Sequence, residues 1–125
     1  MSTHRTITVL AASAAFVLSG AVSALAHAHL VRATPAVGGT VHMPPNEVTL
    51  RFSEKLEATF SSVVVRDSTG KQVDKGDGAV DKGDRTLMRV QLQQPVTPGV
   101  YKVEWKVMSA DTHKIDGNFT FKVGE

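Results

Sequence analysis

The chain has 125 residues, with 14 Lys and Arg against 12 Asp and Glu, a formal charge of +2 with histidine neutral, and no cysteine. The absence of thiols excludes disulfides, thiolate zinc sites, iron–sulfur clusters, a cysteine-ligated blue-copper centre and a lipid anchor on cysteine. The near-balanced charge lacks the clustered basic face that nucleic-acid binding requires.

Residues 7–26 carry no charge and consist mostly of Ala, Val, Leu, Ile, Ser and Phe. They follow His4 and Arg5 and end in Ala24-Leu25-Ala26, a small-x-small pattern just before His27. A basic start, an apolar run and such an end predict a cleavable secretory signal over residues 1–26 and a mature domain over 27–125. That length suits one compact domain with one core. No later apolar run is long enough to cross a bilayer. The expected product is exported and soluble, with no membrane span after signal removal. It is periplasmic, or secreted where the cell has no outer membrane.

The mature part reads as strands and turns. Leu30-Val31 begins a short extended segment, and Gly38-Gly39 and Pro44-Pro45 then interrupt the chain. In Val48-Thr49-Leu50-Arg51-Phe52, apolar residues alternate with polar ones, so Val48, Leu50 and Phe52 share a face. Val63-Val64-Val65, Leu87 to Leu92, Val100 to Val107 and Phe119 to Val123 read as further strands. In the fourth of these five segments, Tyr101, Val103, Trp105 and Val107 are expected on one side or packed at its edge. Six or seven short strands with Gly and Pro between them predict an all-β fold, an antiparallel Greek-key β-sandwich. Loops at the ends of such a sandwich are where a site is expected.

Residues 67–85 are the most polar stretch and hold a near-repeat, Val73-Asp74-Lys75-Gly76-Asp77 and Val80-Asp81-Lys82-Gly83-Asp84. The spacing does not fit a calcium-binding D-x-D-x-D-G loop, and each first aspartate has a lysine beside it. A solvated connection is the expectation here.

The histidines carry most of the chemical information. His4 leaves with the signal, and His42 lies in a Gly/Pro-rich loop and is expected to be exposed. After cleavage His27 becomes the first residue, and its free α-amine and ring Nδ1 can chelate one ion. Both are borderline nitrogen donors that suit Cu(2+). Asp111 and His113, two residues apart after the strand 100–107, point the same way if extended geometry continues. With His27 they form a three-nitrogen, one-oxygen set suited to a tetragonal ion. Taken alone, the Asp-x-His pair reads equally as a turn-capping aspartate beside a solvated histidine. His29 shares a face with His27 if both are extended. It reads as an accessory ligand, as part of an amide-wrapped terminal copper motif, or as an exposed strand histidine.

His27-Ala28-His29-Leu30, Thr34-Pro35-Ala36 with Gly38, Val48-x-Leu50-x-Phe52-Ser53-Glu54-x-Leu56, the run from Tyr101 through Asp111-Thr112-His113, and Gly117-x-Phe119-x-Phe121-x-Val123 together resemble the CopC family of periplasmic copper-binding proteins. The resemblance covers the whole mature chain in order. It implies a cupredoxin-like, immunoglobulin-like Greek-key sandwich that binds copper in resistance or uptake, with a CopD-like inner-membrane copper protein as partner. It also implies that His27, Asp111 and His113 are the Cu(2+) ligands and that Glu54 occupies an acidic position near the ion. Some family members hold Cu(I) on a methionine-rich loop. Here the corresponding segment, Asp67 to Asp84, contains neither methionine nor histidine, which points to the subclass with a Cu(2+) site only.

The function expected is therefore a non-enzymatic, exported Cu(2+) carrier or buffer in copper resistance or homeostasis. Two alternatives stand beside it. One is a copper-dependent oxidase or monooxygenase, which needs an open coordination position and a broad aromatic face. The other is an immunoglobulin-like interaction module with incidental histidines.

Overall fold

The computed structural model describes residues 28–125. The signal read over 1–26 and the ligand read at His27 lie outside the described residues.

Eight strands follow one another: β1 (Leu30–Thr34), β2 (Thr40–Val41), β3 (Glu47–Phe52), β4 (Ser62–Arg66), β5 (Ala79–Val80), β6 (Leu87–Gln91), β7 (Gly99–Met108) and β8 (Lys114–Val123). A single 3-10 turn, Ala58–Phe60, lies between β3 and β4. The strands form two four-stranded sheets, in the order β1-β3-β6-β5 and β2-β8-β7-β4. The non-sequential neighbours in both sheets make this the expected β-sandwich. The core fills the space between the sheets, as period-2 alternation requires. Val48, Leu50 and Phe52 of β3 are all buried, as are Val63 and Val65 of β4 and Val103, Phe119, Phe121 and Val123 of the β7–β8 pair.

Three details depart from the sequence expectation. The two-residue strands β2 and β5 are too short to leave a periodic signal, and β2 runs parallel to β8, with Thr40 opposite Lys122 and Val41 opposite Val123. The sandwich is thus antiparallel in every named strand pair but this one.

Strand β8 begins at Lys114 rather than at Phe119. Its first half contains Gly117, a residue that weakens strands, but the side chain of Trp105 on β7 fills the space a Cβ would take. A Cβ on Gly117 would come 2.3 Å from the indole Cζ2.

On β7, as expected, Tyr101, Val103 and Val107 are buried together and the half-buried Trp105 packs at the edge of the same core. Its ring meets Phe52 edge-on at 5.9 Å between centroids and Phe119 at 6.1 Å.

The segment 67–85 is not simply a solvated connection. Asp74 is 2% exposed and accepts hydrogen bonds from the Val65 amide at 2.8 Å, the Gly76 amide at 2.8 Å and Gln72 Nε2 at 3.0 Å. The Asp81 carboxylate accepts from the Gly83 amide at 3.0 Å. Each near-repeat thus begins with an aspartate bonding the amide two residues on, a turn device rather than a cation loop. Asp74 also closes the outer edge of β4, since its bond to the Val65 amide occupies a group that an edge strand would otherwise expose.

Candidate metal centre

The β7–β8 hairpin carries Asp111 and His113 at its tip. The two strands pair from Gly99 opposite Val123 to Met108 opposite Lys114, so the intervening residues 109–113 close the turn. The Ser109 amide donates to the His113 carbonyl at 3.0 Å, and the Thr112 amide donates to the Ser109 carbonyl at 2.8 Å. Thr112 has φ +72°, the left-handed region that a β-branched residue rarely enters. Extended geometry therefore does not continue past β7. The structure corrects the reason for the pairing, since Asp111 and His113 meet because the chain folds back at Thr112, not because alternate strand residues share a face.

The two side chains do converge. Asp111 Oδ1 lies 3.2 Å from His113 Nδ1, and the same oxygen lies 3.4 Å from the His113 amide. Both side chains are a little over 40% exposed, so an ion could reach them from solvent. Ser109, 1% exposed, donates its hydroxyl to Asp111 Oδ1. That hydrogen bond, opposed by partial desolvation and supported by contacts from His113, holds the Asp111 carboxyl below the ordinary carboxylate range. The group is therefore an anion, ready to ligate, at any neutral or mildly acidic pH.

A second seam brings the first described residues toward this turn. Ala28 is fully buried in the core. The His29 amide donates to Ser53 Oγ at 3.0 Å, His29 Nδ1 lies 3.2 Å from the same oxygen, and the Ser53 amide donates to the His29 carbonyl at 2.9 Å. Two residues later, the Lys55 carbonyl accepts the Ala110 amide at 2.9 Å, Leu56 bridges Ser109, and the Glu57 amide donates to the Met108 carbonyl at 2.8 Å. Residues 53–57 therefore touch the start of the domain on one side and the base of the Asp111–His113 turn on the other. Glu54 sits half-buried within this segment.

Among the described residues, no three His, Cys, Asp or Glu side chains stand close enough to hold a metal ion. The structure brings together Asp111 and His113, and separately His29 and Ser53; it does not gather His29 or Glu54 into a three-residue set with the pair. His42 is exposed, as expected, with its ring against the backbone of Gly124 near the opposite end of β8. Two contributors escaped the sequence reading, Ser109 and Ser53. A serine two residues before a turn aspartate is the signal for the first. The second had none, because its partner is 24 residues away.

Comparison with known proteins gives a consistent result. A family model described as the CopC domain matches residues 30–124. Copper resistance protein C of Pseudomonas syringae pv. tomato is 39% identical over 109 residues, covering 82% of this chain and 86% of that protein. Protein YobA of Escherichia coli K12 is 35% identical over 101 residues, covering 81% and 82%. The copper transport protein CutJ of Bacillus subtilis is 30% identical over 103 residues, and there the match spans 82% of this chain but only 19% of the longer protein. Among solved structures, PcoC, a methionine-rich copper resistance protein from Escherichia coli, superimposes with a TM-score of 0.70 at 32% identity, covering 78% of this chain and 99% of that one. CopC from Methylosinus trichosporium OB3b superimposes with a TM-score of 0.68 at 32% identity, covering 78% and 94%.

Proposed function

The chain belongs to the CopC family, and we propose that it is an exported Cu(2+) carrier or buffer whose ion is held by His27, Asp111 and His113. In this reading, signal cleavage before His27 creates the donor pair of α-amine and Nδ1. Asp111 and His113 add one oxygen and one nitrogen. The resulting set is tetragonal and suits a d9 ion.

The observation that carries the reading is the shared segment 53–57. It bonds His29 through Ser53 and bonds the base of the β7–β8 turn through Lys55 and Glu57. Ala28, the covalent neighbour of His27, is packed in the core at the start of the same seam. A terminus anchored in this way favours a fixed chelate over the amide-wrapped mode, which needs a free and flexible end. The His29 amide is already engaged with Ser53.

The surface supports carriage rather than oxygen chemistry. Tyr101 is 5% exposed and Trp105 is half-buried, so neither offers the aromatic platform a polysaccharide needs. As a fourth protein donor, Asp111 would also occupy a position that an oxidase leaves open. The three methionines among the described residues are dispersed. Met43 is exposed in the loop after β2, Met88 is fully buried in β6, and Met108 ends β7. This arrangement favours a single Cu(2+) site over a second, thioether site. No helix among the described residues is long and apolar enough to cross a membrane. In the proposed setting, the periplasm, ligand exchange at the half-exposed pair would pass copper to a CopD-like membrane protein.

The test compares two forms of the protein, one beginning at His27 and one retaining Ala26. Titration with Cu(2+), followed by EPR, should show a tight tetragonal complex only in the first. Equal affinity in both forms would overturn the proposal.

A further inference from the structure

We infer that Ser109 is a positioning residue for copper, fixing Asp111 as a ligand through a single oxygen. The inference rests on the reading of Asp111 as a ligand and adds the group that aims it.

Asp111 lies on a turn with its side chain 41% exposed. A carboxylate in that setting ordinarily rotates freely, and ordering it costs side-chain entropy on binding. Ser109 removes that freedom from a rigid base. Its backbone is held on two sides: its neighbours Met108 and Ala110 bond Glu57 and Lys55, which places it opposite Leu56, and its own amide and carbonyl bond His113 and Thr112 within the turn. Leu56 itself is fully buried. The hydroxyl of this nearly inaccessible serine donates to Asp111 Oδ1.

The contacts around Asp111 fall on the same atom. Oδ1 receives the Ser109 hydroxyl, lies 3.4 Å from the His113 amide, and is 3.2 Å from His113 Nδ1. Among the described residues, Oδ2 is thereby the oxygen left for an incoming cation.

The choice of a hydroxyl matters chemically. Lysine or arginine at this place would orient the carboxylate equally well, but its positive charge would offset the carboxylate's and repel the ion. A neutral donor directs the group and leaves its charge available to the metal. Partners of this kind commonly change metal affinity by 10–100-fold when removed.

The experiment uses the chain processed to begin at His27, with Ser109→Ala, Ser109→Gly and Asp111→Asn. Cu(2+) affinity is measured by competition with a chromogenic chelator, the copper EPR spectrum is recorded, and folding is checked by thermal unfolding. Ser109→Ala and Ser109→Gly should each weaken binding about tenfold and shift the parallel hyperfine splitting, while the metal-free unfolding transition stays cooperative. If Asp111→Asn alters affinity and spectrum but neither Ser109 variant does, the positioning role is wrong and the ligand reading stands. If Asp111→Asn leaves both unchanged, the ligand reading itself fails. If Ser109→Ala does not fold, Ser109→Gly, which removes the same hydroxyl, decides between the first two outcomes.

Discussion

Trp105 on β7 lies directly against Gly117 on β8, so closely that a Cβ added to the glycine would sit 2.3 Å from the indole Cζ2 and 2.7 Å from Cη2. The indole is rigid and is already packed edge-on to Phe52, so it cannot yield by rotating a single terminal atom. Gly117→Ala should therefore overpack the sandwich and destabilise it by about 1–3 kcal/mol. Denaturant unfolding should show this as a lower midpoint. Because Trp105 is the chain's one tryptophan, its emission should shift in the native baseline as well.

The same pair shows how far the amino-acid order could be read. Wherever apolar and polar residues alternate over five or more positions, as in Val48 to Phe52 and Val100 to Val107, the strand and its buried face are legible. The first half of β8 is not, because Lys114, Asp116 and Gly117 lack that pattern and are held in the sheet by pairing with β7. The candidate site divides in a similar way. Asp111 and His113 stand out as ligand types at close spacing, but their convergence depends on the positive φ of Thr112, which a β-branched residue does not advertise. Asp74 reads as a surface aspartate, and its burial follows from a backbone amide nine residues away.

Thr112 gives a direct test of that turn. Proline at this position fixes φ near −65°, whereas the native value is +72°, and it removes the amide that bonds the Ser109 carbonyl. Thr112→Pro should separate Asp111 from His113 and weaken Cu(2+) binding by more than about tenfold, as loss of ligand orientation does. The rest of the sandwich should still fold. Thr112→Gly should behave differently. It relieves a left-handed cost of about 1–2 kcal/mol and adds unfolded-state freedom of about 0.4–1 kcal/mol. Its stability should match or slightly exceed the parent's, with copper binding retained. Paired titrations and unfolding curves check both outcomes.

Acid should expose the role of Asp84. The Thr86 hydroxyl and the Arg51 guanidinium hold its carboxyl well below the usual value of 3.8, at about 2, and Arg51 Nη1 lies 2.9 Å from Oδ2. A folded pKa below the unfolded one stabilises the native state when the group is ionised. The contribution is complete above the unfolded value and is lost as pH falls through the folded one. The parent should therefore unfold at a higher temperature than Asp84→Asn at pH 7, and the gap should shrink between about pH 4 and pH 2. Both partners are roughly 40% exposed, so added salt should narrow the gap at neutral pH too. A gap that is constant across the pH range would show that the carboxylate's charge contributes nothing.

His29 and His113 separate the competing copper geometries. His113 lies in the turn with Asp111, while the His29 ring is 3.2 Å from Ser53 Oγ. Substituting alanine for His113 removes a nitrogen donor under the proposed coordination, so the Cu(2+) complex of the mature protein should weaken by at least about 100-fold, the upper end of what losing even an outer-shell partner costs. Its EPR spectrum should move toward a set with fewer nitrogen donors. Substituting His29 removes a ring that already has a protein contact and stands outside any three-residue group with Asp111 and His113 among the described residues. His29→Ala should change affinity less than about tenfold and leave the spectrum nearly unaltered, in keeping with an outer-shell contact at most. The reverse result, a spectrum sensitive to His29 and indifferent to His113, would transfer the ion to the amide-wrapped terminal mode. In that case the β7–β8 turn would have no part in binding.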